Sequence, residues 1–168
     1  VLTCAIPISL KKENYRMIQY ANQCYGKDSR WPGWRTDMGK IYIILGEPRQ
    51  IEKFENLPEV FPMIVWFYDG MAEFGLPNAF SVVYFKREGS GEYIFYSPIK
   101  YGPQYLLIHY KGDQTDYATA YNELFQIEPS LADLSLSLVQ GETRYSLTPS
   151  ISSEVLLNQR IPSAPYEK

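Results

Sequence analysis

"GWRTDMGKIYIILGEP" (residues 33–48) sets two turns around one apolar run, and the fold depends on how that run is read. Thr36-Asp37-Met38-Gly39 fits a type I turn, with Asp37 accepting backbone N–H bonds and Gly39 free to take a positive φ. In "KIYIIL" (40–45), Ile41, Ile43 and Leu45 point one way while Tyr42 and Ile44 point the other. Both faces are apolar, which predicts a central strand covered on both sides. Gly46-Glu47-Pro48 then ends it, Pro48 presetting φ for the turn. Trp34 is expected to anchor the first turn against the end of the sheet. Arg35 has no duty in this turn–strand–turn brace.

The same residues come close to a phosphate loop, with Gly33 followed by Gly39-Lys40. That motif needs four residues between its glycine and the Gly-Lys pair, then Ser or Thr, then a helix. Here five intervene and Ile41 follows. The phosphate cradle is excluded on spacing and context.

Outward from this stretch, residues 1–9 read as an extended lead-in. A helix follows over 10–25, capped by Ser9, with Tyr15, Ile18, Ala21 or Asn22, and Tyr25 as its buried face. The segment "GEPRQIEKFENLPEVFP" is a turn-rich connection with one helical turn. "MIVWFYD" (63–69) is a strand. The runs 80–86 and 91–97 flank a Gly-Ser-Gly turn and form a hairpin. Residues 103–111 fit strand or helix equally. "TDYATAYNELFQ" (115–126) is a helix capped by Thr115 or Asp116, and Glu128-Pro129 closes it. In 131–140, Leu134, Leu136 and Leu138 alternate with Ser135 and Ser137, one face covered and one wet. "SSEVLLNQRIP" makes a short helix that Pro162 ends. The expected fold is α+β: a central, mostly antiparallel sheet of about 4–6 strands, with an N-terminal helix and one or two further helices packed on it. The domain is expected over 10–128, with 129–168 a C-terminal strand/helix extension or a linker to a following domain.

Composition narrows the function classes. The chain has 168 residues, 45% hydrophobic and 21% charged, with a net charge of −3. No basic field exists to attract nucleic acid, and no apolar run is long enough to span a bilayer. Fifteen tyrosines suit half-buried sheet faces and recognition surfaces alike. Cys4 and Cys24 show no framework spacing and are expected as two unpaired thiols. The opening at Val1 and the polar close are those expected of a processed or excised piece.

Candidate chemistry has a simpler structural explanation at each position. His109, the single histidine, is expected to be packed or hydrogen-bonded, and Ser90 to be a turn residue. One histidine and two distant cysteines argue against zinc, so no metal and no cofactor are expected. Asp113, Asp116 and Glu123 lack the alternating ligands of a calcium loop, and capping explains Asp116. Glu52, Glu55 and Glu59 could include an acid and base pair, but a mixed-charge loop gives the same run. Exposed aromatics are the remaining route to function. Trp31, Trp34, Trp66, Phe61, Tyr101 and Tyr105 lie near turns or prolines and can form a sugar or peptide platform, or plug the sheet ends.

Gly33-Trp34-Arg35-Thr36-Asp37 resembles the signature of the GWxTD-domain family of bacterial proteins. "NYRMIQYANQCY", "VWFYD" and "YFKREGSGEYIFYSP" are similar to the family's preceding helix, its following Trp-x-Tyr strand and its hairpin. The likeness is close over about residues 12–98 and weaker through "AYNELFQIEPSLADLSLSL". The resemblance implies an exported or envelope-associated protein, extracytoplasmic in the periplasm or outer envelope. It carries over no activity and no catalytic residues.

The chain is therefore expected to be a non-enzymatic structural or interaction module. Its partners would be other proteins or adjacent domains of its own chain, not nucleic acid. Alternatives are a glycan- or peptide-binding module using loop aromatics, or a carboxylate-dependent hydrolase. Trp31, Trp34, Arg35, Asp37, Tyr101 and Tyr105 are the candidate binding residues. Gly33, Trp34, Thr36, Asp37, Gly39, Gly46, Pro48, Trp66 and Tyr68 form the structural motif.

Overall fold

The apolar run of the opening stretch is a helix, not a strand. In the structure, a computed structural model that describes residues 13–142 and 146–164, helix α1 (Glu13–Tyr25) is followed by a 3-10 turn (Gly33–Arg35) and by α2 (Asp37–Leu45). A continuous apolar run is what a helix buried on most sides also shows, and β-branched residues only weakly oppose it. Two terminators decide between them. Thr36 caps the start, its side chain accepting from the Gly39 N–H, and Gly46 at φ 80° closes the end. Ile41, Tyr42 and Leu45 are the buried side of α2.

Strands β1 (Gln50–Phe54), β2 (Met63–Asp69), β3 (Ala79–Phe85) and β4 (Ile94–Phe95) form one antiparallel sheet in the order β1-β2-β3-β4. The fold is α+β as expected, with the strand count at the low end. β1 occupies the segment read as a turn-rich connection. It is a short edge strand with alternating exposure, and Ile51 on it is exposed. The second hairpin run narrows to two paired residues, Tyr84↔Phe95 and Phe85↔Ile94. Val139 pairs with Phe80 further along, and Leu138 O accepts from Ser81 N, so β4 and residues 138–139 share the outer edge of β3.

Both faces of β2 and β3 are buried. The register pairs Ile64↔Tyr84, Trp66↔Val82 and Tyr68↔Phe80 on one face. Tyr25 of α1 packs there, its ring centroid 5.5 Å from that of Trp66. The other face carries Phe85, which Tyr96 and Tyr101 meet edge-on. The periodicity of α1 is as expected but its phase is not. Tyr15 and Ile18 are exposed, while Ala21 is buried and Met17, Tyr20 and Tyr25 pack on the core. Gly33 sets that phase, because a Cβ there would lie 1.8 Å from the Ala21 carbonyl oxygen.

The C-terminal part adds α3 (Tyr117–Ile127), α4 (Pro129–Leu136) and α5 (Ile151–Val155). α5 continues through a π-helical stretch, Leu156–Arg160, into Ile161–Ser163, so Pro162 sits in its last turn. α4 replaces the alternating pattern expected from Leu134 and Leu136. Glu128 caps α4, and Pro129 opens it where a missing N–H costs nothing. Ser135 is buried and donates to the Ala132 carbonyl, so it is no wet position. Leu124, Leu131, Leu138, Leu156 and Ile161 join the sheet residues in one hydrophobic cluster. Residues 103–111 are neither candidate element. They hold a 3-10 turn, Pro103–Tyr105, and a bridge from Leu107 to Val60. Among the described residues no helix is long and apolar enough to cross a membrane. The lead-in, Ser9 and Cys4 lie outside the described residues, and Cys24 is half-buried on α1.

Candidate functional site

Three backbones meet at the start of α2. A Cβ on Gly33 would collide with α1 at Ala21, and a Cβ on Gly39 would lie 1.8 Å from the Gly33 carbonyl oxygen. Gly39 is required by this close approach and not by a positive φ, since it sits inside the helix. The buried Thr36 hydroxyl binds the joint. It donates to Gly33 O at 2.6 Å and accepts from Gly39 N at 3.0 Å. Asn22 on α1 accepts from Trp34 N at 3.0 Å.

Asp37 closes the joint on its other side. The expected local turn bonds are replaced by a distant one, because its Oδ2 accepts from Phe95 N at 2.8 Å. A carboxylate in the first turn also suits the positive end of the helix. The far end of α2 is tied to the sheet by the Tyr68 hydroxyl, which donates to Gly46 O at 3.0 Å. Burial pushes the Tyr68 phenol pKa well above its ordinary value, with Tyr42 adding to it. Gly46 and the buried Pro48 thus end a helix and lead into β1. Trp66 is fully buried between Tyr25 and Tyr84.

What the joint does not bury, it turns outward. Trp31 is 46% exposed and Trp34 43%, so neither residue is buried. The guanidinium carbon of Arg35 lies 4.6 Å from the Trp31 ring centroid and 5.7 Å from that of Trp34. Both distances are within reach of a cation–π contact. Arg35 therefore acquires a place that the sequence did not suggest.

Tyr101 and Tyr105 belong to a second cluster. Tyr101 is buried at 7% exposure, and Tyr105, at 38%, meets it edge-on at 5.5 Å. Arg87 lies about 6 Å from both rings, and Lys100 5.2 Å from that of Tyr101. Among the described residues, no ring or cation contact links this cluster to Trp31 and Trp34. Arg87 had no motif to announce it, because its ring partners Tyr101 and Tyr105 are distant in sequence.

Partial burial raises the Tyr110 phenol pKa, Asp116, Glu123 and Asp113 lie close enough to raise it further, and the Asp113 and Asp116 carboxylates are engaged in local hydrogen bonds. Glu52 accepts from Gln50 Nε2 and Glu55 from the Tyr93 hydroxyl. Asp113 accepts from the backbone and hydroxyl of Thr115, and Asp116 caps α3. Ser90 is exposed beside the turn, as expected, while His109 is exposed instead of packed. Among the described residues no group of three or more His, Cys, Asp or Glu is placed to hold a metal ion.

Comparison with known proteins gives one match. No curated protein and no solved structure matches the chain. The model of the GWxTD domain matches residues 8–93, a span that holds α1, the glycine joint, α2 and strands β1–β3. The five letters of that name fall on Gly33, Trp34, Arg35, Thr36 and Asp37, and the chain belongs to the GWxTD-domain family.

Proposed function

We propose that the chain is a non-enzymatic interaction module of an exported, envelope-associated bacterial protein. It would meet another protein, or an adjacent domain of its own chain, through Trp31, Trp34 and Arg35. The observation that carries this is the division of labour within the motif. Gly33, Thr36, Asp37 and Gly39 hold the joint by close backbone contact and hydrogen bonds. Trp31, Trp34 and Arg35 face outward, and Trp and Arg are the side chains most enriched at the centres of interfaces. The absence of an enzymatic role is supported by the structural partners of Glu52, Glu55, Asp113 and Asp116. The extracytoplasmic setting rests on the family resemblance alone.

Stability separates recognition from bracing. Trp31→Ala and Arg35→Ala are expected to leave Tm within about 2–4 °C, the shift of a change near 1 kcal/mol in a chain of this size. Thr36→Ala is expected to lower it further. Trp31→Ala or Arg35→Ala destabilising as much as Thr36→Ala would make these side chains a brace and overturn the proposal.

A further inference from the structure

The Trp31–Arg35–Trp34 ladder also carries information about what it would bind. Among the described residues, the Arg35 guanidinium has neither an ion pair nor a hydrogen bond; the ion pair present joins Arg49 and Asp69. Residues 27–40 contain Lys27, Arg30, Arg35 and Lys40, all exposed, against Asp28 and Asp37. Asp37 is already committed to Phe95 N. In a chain of net charge −3, the stretch that carries the ladder therefore has more basic than acidic side chains.

The geometry points to an acidic peptide segment of a partner protein as the occupant, a carboxylate seated on Arg35 and an apolar side chain beside it on the indoles. This inference rests on the ladder being a recognition surface. A guanidinium lying against aromatic rings is partly desolvated and held in one place, so less freedom is lost when its planar fork takes a carboxylate by two parallel bonds. A sugar ring would need the open face of an indole. Arg35 already covers a face of Trp31 at 4.6 Å, which favours a carboxylate at the guanidinium edge over a glycan stacked on the ring.

The test uses the full chain and follows its tryptophan indole N–H signals by NMR. Trp66, buried in the core, serves as the internal reference. The probes are acetyl-Asp-Glu-Leu-Asp-Glu-amide, its neutral Asn-Gln-Leu-Asn-Gln counterpart and a chitin oligosaccharide. The acidic peptide is expected to shift the Trp31 and Trp34 indoles and leave Trp66 in place, with affinity falling as salt is raised. Arg35→Lys, which keeps the charge but not the fork, is expected to weaken binding by about tenfold or more. Silence of both indoles toward the acidic peptide overturns the inference, as does equal binding to the Arg35→Lys variant. A response to the neutral peptide or the oligosaccharide as strong as to the acidic one also overturns it, while leaving the recognition surface intact. Silence toward all three probes, with destabilisation by Arg35→Ala equal to that by Thr36→Ala, would remove both.

Discussion

The Thr36 hydroxyl donates to one backbone group and accepts from another, and both lie where water does not reach. Thr36→Ala leaves the Gly39 N–H without that acceptor and is expected to cost about 1–2 kcal/mol, whereas Thr36→Ser should be nearly neutral. Gly39→Ala places a methyl against the Gly33 carbonyl and is expected to cost about 1–3 kcal/mol as α1 and α2 are forced apart. Had the Trp34 ring been buried, Trp34→Ala would remove about 3 kcal/mol or more. With nearly half of it exposed, about 1 kcal/mol is expected. Urea unfolding of the four variants gives the order: a Trp34 loss as large as that at Gly39 would contradict this picture. The importance of these letters was legible in the sequence, but not their division into inward and outward. Gly39 needs its lack of a side chain because Gly33 lies across it, and that crossing depends on Asn22 and Ala21, far back in α1.

Among the elements, β2, β3 and α3 were legible because each declares itself locally, by a short β-branched and aromatic run or by a capped apolar stripe. α2 and α4 were not. "KIYIIL" has the composition of a strand, and the deciding signs lay at its ends, Thr36 as a cap and Gly46 as a terminator nine helical residues apart. "LSLSL" alternates like a strand, but Glu128-Pro129 starts a helix, and Glu128 ends α3 and caps α4 at once. The start of α3 has a pH signature. The Thr115 hydroxyl and amide hold the Asp113 carboxyl below its usual range, and those of Thr119 do the same for Asp116. Folded values below the unfolded ones mean that this stabilisation is complete above the ordinary carboxyl pKa, about 3.9, and is lost as pH falls through the lower folded values. Both carboxylates are exposed, so their share of any fall in melting temperature below about pH 4 should be small, and Asp113→Asn with Asp116→Asn should remove that share while keeping the cap. An unchanged acid limb in the double variant would refute this.

At the scale of the whole molecule, Tyr42, Tyr68, Tyr84, Tyr96 and Tyr101 are explained as core. Burial pushes the phenols of Tyr68, Tyr84 and Tyr96 well above the ordinary range. Their unfolded forms ionise near pH 10, so stability is complete below that and is lost as pH rises further. Tyrosinate absorbance from Tyr68, Tyr84 and Tyr96 is expected only in step with the loss of far-UV circular dichroism. A single titration of all the phenols with the fold intact would contradict the packing. Composition raised sheet core and recognition surface as explanations for these rings. The register of β2 against β3 favours the first, because it aligns Ile64, Trp66 and Tyr68 with Tyr84, Val82 and Phe80.

The shared outer edge of β3 separates two boundaries that sequence comparison alone would merge. The family match stops at residue 93, one position before β4 supplies half of that edge, and residues 138–139 supply the rest. The matched segment and the strands that complete the sheet are thus different lengths of chain. A relative that retained only the matched segment would present β3 with open backbone donors and acceptors. It would need a borrowed strand, from elsewhere in its own chain or from a neighbour, to close the sheet.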